Sequence, residues 1–272
     1  MLLKQLRFLR TVATLPALAL LAIGATHAQT SELISPRQHG PMQFHGFRTD
    51  GTTESTNWSG YAVTGTSFTQ AVGSWTVPSV NCSVTPSTYA AFWVGIDGYS
   101  SSTVEQTGTD SDCSGKNPSY YAWYEFYPNP SIEISSLTIK PGDNMSAEVS
   151  YSGSEFTIKI TDTTTGKSYT KSSKVSGAQR TSAEWIAEAP CCTNRGGILP
   201  LSDFGTVSLG LDYTGVSGSN YAIDSSSSNP IAIGGFSTWE EITMVTSSGV
   251  DEAVPTSLTA DGTSFQVTWK SK

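Results

Sequence analysis

Proton transfer needs a group that changes charge near the working pH, and here the usual one is missing from most of the sequence. His27, His39 and His45 are the only histidines of the 272-residue chain, so residues 46–272 hold no imidazole. A Ser-His-Asp or Cys-His relay has no base there, and zinc loses its commonest protein ligand. Acid–base work then falls to carboxylates and carboxamides, and a glutamate activating water near its own pKa of ~4.3 would work best in acid. The sequence carries no Gly-x-Ser-x-Gly, no His-Glu-x-x-His and no Asp-Thr-Gly or Asp-Ser-Gly. Asp110, Asp112 and Ser114 are spaced like a calcium loop, but its twelfth position is Tyr121 rather than a bidentate Glu.

The elements that must position such groups are strands. Met145, Ala147, Val149 and Tyr151 alternate with Ser146, Glu148 and Ser150 after a Pro141-Gly142-Asp143 turn. Phe156, Ile158 and Ile160 alternate with polar neighbours, and a turn at 163–166 reopens a strand at Tyr169. Phe265, Val267 and Trp269 repeat the pattern near the C-terminus. Short strands separated by Gly, Ser and Thr predict an all-β chain, an antiparallel β-sandwich or barrel.

Domain organisation follows from composition. Lys4, Arg7 and Arg10 precede an apolar run from about Thr11 to Ala25 that contains Pro16, and small residues follow it, which reads as a signal peptide over residues 1–28. The run is shorter than the ~20 residues of a spanning helix, and no later stretch is apolar enough to span. Residues 29–53 are polar, with Pro36, Pro41, Arg37, Arg48, His39 and His45, and read as a pro-segment or linker. Residues 54–272 form one domain, carrying 21 acidic against 10 basic side chains. Such a surface suits neither nucleic acid nor anionic lipid. A secreted protein, extracellular or periplasmic, favours disulfides among Cys82, Cys113, Cys191 and Cys192. Of the three pairings, the one that joins Cys82 with Cys113 is preferred, because adjacent Cys191 and Cys192 can pair only with each other or with two distant partners; a vicinal Cys191–Cys192 bridge would itself be strained.

Strand parity sorts the unusual residues onto faces. In Tyr120–Tyr127, Trp123, Glu125 and Tyr127 share one side, while Tyr120, Ala122, Tyr124 and Phe126 share the other. In Ala91–Asp97, Phe92, Val94 and Ile96 form the apolar face, opposite Trp93 and Asp97. Two strands with one apolar face and one face mixing aromatics with carboxylates predict a lined groove.

Six segments sharpen this reading. They are Asn57-Trp58-Ser59-Gly60-Tyr61, Gly73-Ser74-Trp75-Thr76-Val77-Pro78, Trp93-Val94-Gly95-Ile96-Asp97 with Val104-Glu105-Gln106-Thr107-Gly108, Trp123-Tyr124-Glu125-Phe126-Tyr127-Pro128, Ala183-Glu184-Trp185-Ile186-Ala187-Glu188, and Asp203-Phe204-Gly205. In this order the chain resembles the glutamic peptidases, or eqolisins. The resemblance implies two packed antiparallel sheets of concanavalin-like, jelly-roll type, whose concave face holds an unfolded protein or peptide. It puts the catalytic pair on Gln106 and Glu184, and cleft-lining or supporting roles on Trp58, Trp93, Asp97, Trp123, Glu125 and Tyr127. It implies an acid endopeptidase without metal or cofactor, expected to be a monomer. Glu184 would take a proton from water and return it to the leaving nitrogen, and Gln106 would hold the oxyanion.

Other readings use the same residues. Residues 183–189 are rich in helix formers, which would put Glu184 on a short surface helix and leave Gln106 on an exposed strand. Glu105 and Glu188 are the nearby carboxylates most easily confused with the base, and Asp97 or Glu125 would tune it. A secreted glycosidase would pair Glu125 with Glu184 in an aromatic-lined groove, and a carbohydrate-binding module would stack its aromatics on sugars. Neither needs Gln106. The cationic 29–53 stretch could cover an acidic cleft until low pH neutralises the carboxylates, and its removal would leave no histidine.

Overall fold

The computed structural model describes residues 33–35, 37–191 and 197–272, so the 1–28 segment and Cys192 lie outside the described residues. Almost every described element is a strand. Among the described residues helix is confined to single turns at Leu211–Thr214 and Ile233–Gly235, and no helix there is long and apolar enough to cross a membrane.

Five strands carry the site and are labelled here: β1 (Trp58–Thr64), β2 (Ala91–Ile96), β3 (Val104–Ser114), β4 (Asn117–Tyr127) and β5 (Ser182–Glu188). Across their sheet the order is Trp239–Val245, β1, β5, β2, β3, β4 and Ile132–Glu133, each antiparallel to its neighbour. The second sheet runs Lys167–Ser173, Glu155–Asp162, Asn144–Ser152, Gln70–Thr76, Thr206–Leu209, Phe265–Trp269 and Asp251–Pro255. The last of these also pairs with Trp239–Val245, joining the two sheets along one edge.

The core between the sheets is what the alternating patterns supply. From the second sheet come Met145, Ala147, Val149, Phe156, Ile158, Ile160, Phe265 and Val267; from the site sheet come Phe92, Val94, Ile96, Ala122, Tyr124, Phe126 and Trp185. Each fully buried large apolar side chain contributes roughly 1.5–3 kcal/mol. Two indoles tie the layers with directional bonds: Trp185 Nε1 donates to Val72 O at 2.8 Å, and Trp75 Nε1 to Thr109 Oγ1 at 2.8 Å. Gly73 permits this approach, since a Cβ there would lie 2.9 Å from Trp185 Cδ1. Cys82 and Cys113 form a disulfide with Cα atoms 5.3 Å apart, fastening the loop before β2 to the end of β3. Closing a loop of 31 residues is worth roughly 3–4 kcal/mol in the chain-entropy picture.

Candidate active site

Residues directly paired across antiparallel strands point to the same face. The registers Ala62↔Glu184, Glu184↔Gly95, Gly95↔Gln106 and Gln106↔Glu125 therefore make one straight row over five strands, on the side away from the core. Strands lie ~4.8 Å apart, so the Glu184 and Gln106 backbones are ~10 Å apart with a bare glycine between them. A Cβ on Gly95 would sit 2.9 Å from Trp93 Cζ3 and 3.2 Å from Gln106 Cβ, so a larger residue would push into the space that the two side chains overlook. The next rows are Ile186, Trp93, Gly108 and Trp123, then Glu188, Ala91, Asp110 and Tyr121. Trp58 meets Trp93 edge-on at 4.9 Å, and Trp93 Nε1 donates to Glu188 Oε2 at 2.8 Å.

This face holds ionisable groups without the usual company. Glu184 is fully buried and neither carboxylate oxygen has a hydrogen-bond partner. Burial pushes its pKa well above the ordinary value, the negative fields of Asp97 and Glu105 push it further, and the nearby Ser182 hydroxyl and Tyr99 backbone moderate the rise. Glu188 is driven the same way by burial, and Glu125 is raised by burial against the pull of His39. A carboxylic acid kept neutral by desolvation recovers basicity when water or a polar substrate enters, which is a useful property in a group that must accept and return a proton. Glu105, one residue from Gln106, points to the opposite face with Ile96 and Phe126, and burial raises it to about 9.

The face is covered by residues 37–43. The imidazole of His39 lies flat on Trp123, with ring centroids 3.6 Å apart and planes 2° from parallel. Its Nε2 is 3.1 Å from Asp110 Oδ1, its Nδ1 is 3.3 Å from Glu125 Oε2, and its backbone N–H donates to the same Glu125 oxygen at 2.8 Å. Burial alone would lower this imidazole's pKa, but Asp110, Glu125 and Glu188 together raise it to about 10. The Gln106 amide nitrogen donates to the His39 carbonyl oxygen. On either side, Arg37 stacks over Tyr89 at 3.7 Å beside Asp112 at 3.5 Å, and Met42 N donates to Gly98 O at 3.0 Å. Phe44–Phe47 then pairs with Thr53–Ser55.

The structure thus brings Gln106, Glu184, Trp58, Trp93, Trp123 and Glu125 onto one face, with Tyr127 at its edge near Gly40. Asp97 is placed differently. Its carboxylate accepts the backbone N–H groups of Gln179, Arg180 and Thr181 at 2.7–3.0 Å, so it anchors the turn leading into β5 and does not present oxygens to the cleft. Residues 182–188 are a fully buried central strand, not a surface helix. Asp110, Glu188 and Tyr121 also belong to the face, although the sequence reading gave them no role there. Their signal was available, since Asp110 shares parity with Gln106 and Glu188 with Glu184. His39 carried no such signal, because its position depends on a crossing between segments remote in sequence. Among the described residues no cluster of His, Cys, Asp and Glu could hold a metal ion.

Two packed antiparallel sheets are the fold the glutamic peptidase resemblance implies. The chain belongs to that family: the Peptidase A4 family profile matches residues 56–259. Aspergillopepsin-2 of Aspergillus niger is 33% identical over 186 residues, covering 59% of this chain and 65% of the relative. Scytalidopepsin B of Scytalidium lignicola is 33% identical over 168 residues, covering 60% and 63%. The chain thus spans just under two thirds of the length of these relatives. The fold is also that of scytalido-glutamic peptidase, solved with a peptide-based transition-state analogue, with a TM-score of 0.64 and 24% identity over 79% of this chain and 98% of that one.

Proposed function

We propose that this chain is a secreted acid endopeptidase that hydrolyses peptide bonds of unfolded proteins with Glu184 and Gln106. Glu184, ionised once substrate and water replace the covering segment, takes a proton from the attacking water and then delivers it to the leaving nitrogen. Gln106 donates its amide N–H to the carbonyl oxygen as negative charge develops there. The observation that carries the reading is that Gln106 already grips a main-chain carbonyl, that of His39, in the row it shares with Glu184. The peptide-based analogue bound by scytalido-glutamic peptidase supports a peptide as the occupant. A glycosidase using Glu125 and Glu184 would leave a glutamine standing between its two carboxylates with nothing to do.

In this reading residues 1–28 direct export and residues 29–53 are a pro-segment whose 37–43 portion lies over the cleft and must leave before substrate enters. The mature protein works as a monomer, in the medium or a periplasm, without metal. Glu184→Gln is expected to abolish cleavage of a denatured protein at pH 3–4 and Gln106→Ala to slow it by ~10²–10³, and full cleavage by either would overturn the assignment. N-terminal sequencing after incubation at pH 7 and at pH 3 tests the pro-segment. A new N-terminus beyond residue 39 at pH 3 is expected, and an unchanged one in an active preparation would contradict it.

A further inference from the structure

We propose that Asp110, Trp123 and Glu125 form a subsite selective for a histidine side chain, on the residue whose carbonyl Gln106 holds. The inference rests on the peptidase reading and adds the side chain the cleft prefers. His39 supplies both observations at once: its carbonyl accepts from Gln106, and its side chain fills a closed pocket beside that contact.

The pocket fits an imidazolium in shape and in charge. Trp123 offers a flat face at stacking distance, which any planar ring would satisfy. The two carboxylates do not suit any ring. Asp110 Oδ1 meets Nε2 at hydrogen-bond distance and Glu125 Oε2 lies 3.3 Å from Nδ1 as an ion-pair contact, so a carboxylate stands beside each ring nitrogen and the pocket suits the cation that protonated histidine supplies. Asp110 is fixed in this orientation because its second oxygen accepts the Tyr121 hydroxyl at 2.6 Å. Glu188 adds a third acidic group to the field around the ring, and Asp112 continues the acidic run along β3. Phenylalanine in the same place would stack on Trp123 but leave Asp110 Oδ1 without its donor and both carboxylates without a cation, while Glu125 Oε2 would keep the main-chain N–H and the Gln106 amide; leucine would lose the stack as well. Lysine brings one charge and no plane. In acid an imidazole is protonated before it meets the pocket, so histidine arrives in the form that fits.

Peptides identical except for His, Phe, Leu or Gln before the cleaved bond, assayed at pH 4 with the acid-incubated full chain, test the claim. The His peptide is expected to show at least a tenfold higher kcat/KM than the Phe or Leu peptide, and Asp110→Asn to erase most of that ratio. Equal rates for His and Phe, or an unchanged ratio in Asp110→Asn, would overturn the subsite. A second measurement does not depend on turnover: in the full chain carrying His39→Ala, imidazole at pH 5.5 is expected to raise the melting temperature, while p-cresol does not. The response should disappear when Asp110→Asn is added, and an equal response there would also overturn the subsite. Failure of the peptidase reading shows elsewhere, as cleavage that survives Glu184→Gln, while the imidazole response still reports on the pocket.

Discussion

The two sheets of this sandwich bury their residues by different rules. In the second sheet, residues 144–150 and Glu155–Asp162 alternate between buried and half-buried or exposed positions, with Ala147, Val149, Ile158 and Ile160 inward and Ser146, Glu148, Thr157 and Lys159 outward. In the site sheet, β2 and β5 are buried at every position, so the face away from the core is shut off from water as well. That second face carries Glu184, Glu188 and Glu125. A solvated sheet face places its charges in water at no cost, whereas a covered one must neutralise or pair them. In the proposed reading, the carboxylates buried under residues 37–43 mark where the molecule keeps its chemistry, and the alternating sheet marks where it keeps its stability.

The largest effects that separate the two sheets are catalytic. If Gln106 holds the oxyanion as proposed, Gln106→Ala is expected to lower kcat by ~10²–10³ at pH 4 with little change in fold, as followed by circular dichroism. Ile158→Ala, in the other sheet, is expected to leave kcat/KM at 25 °C within a factor of two but to cost about 2–5 kcal/mol in urea unfolding, because it opens a cavity in a closed core. If Ile158→Ala lowered activity as far as Gln106→Ala does, the division of labour would be lost.

A smaller contrast lies in pH dependence. Glu184, Glu188, Glu125 and Glu105 all have pKa values raised by burial, and His39 is held up by its carboxylate neighbours. For the carboxylic acids the native state keeps protons that the unfolded chain releases above ~4.5, so their contribution is full below that pH and lost as pH climbs towards the folded values. For His39 the contribution is full below ~6.5 and lost as pH rises through about 10. Every term has the same sign between pH 5 and 8, and each proton so held changes stability by ~1.4 kcal/mol per pH unit. Melting temperature is therefore expected to fall steadily from pH 5 to 8, and Glu105→Gln to flatten that fall while changing little at pH 5. A melting temperature that rises over this range would contradict the burial of these groups. The smallest effect expected is that of Lys159→Gln on the solvated face, within about 0.5 kcal/mol.

The difference between the sheets also explains what could be read in advance. Alternation at 145–151, 156–160 and 265–269 is a local property of strands with one wet face, and it announced three strands of the second sheet directly. The same parity argument separated Trp123 and Glu125 from Tyr124 and Phe126 in β4, because that strand still contrasts an apolar with a mixed face. It had less to work with in β5, where Ser182–Glu188 is buried on both faces and its composition suits a helix as well as a strand. There the family resemblance placed Glu184. Asp97 illustrates another limit: its parity with Trp93 was legible, but the chain turns at Asp97, with φ 71°, and the carboxylate swings to the 179–181 backbone. The seat of His39 was beyond reach, since only tertiary structure brings a segment of low periodicity to rest on Trp123.

One measurement tests the Glu184–Gln106 assignment most directly: degradation of a denatured protein from pH 2 to 7, by the acid-incubated chain and by its Glu184→Gln variant, with pepstatin or a chelator as controls. The account predicts activity confined to acid, indifferent to both compounds and absent from the variant. Activity that persists in Glu184→Gln, or that a chelator removes, would contradict it.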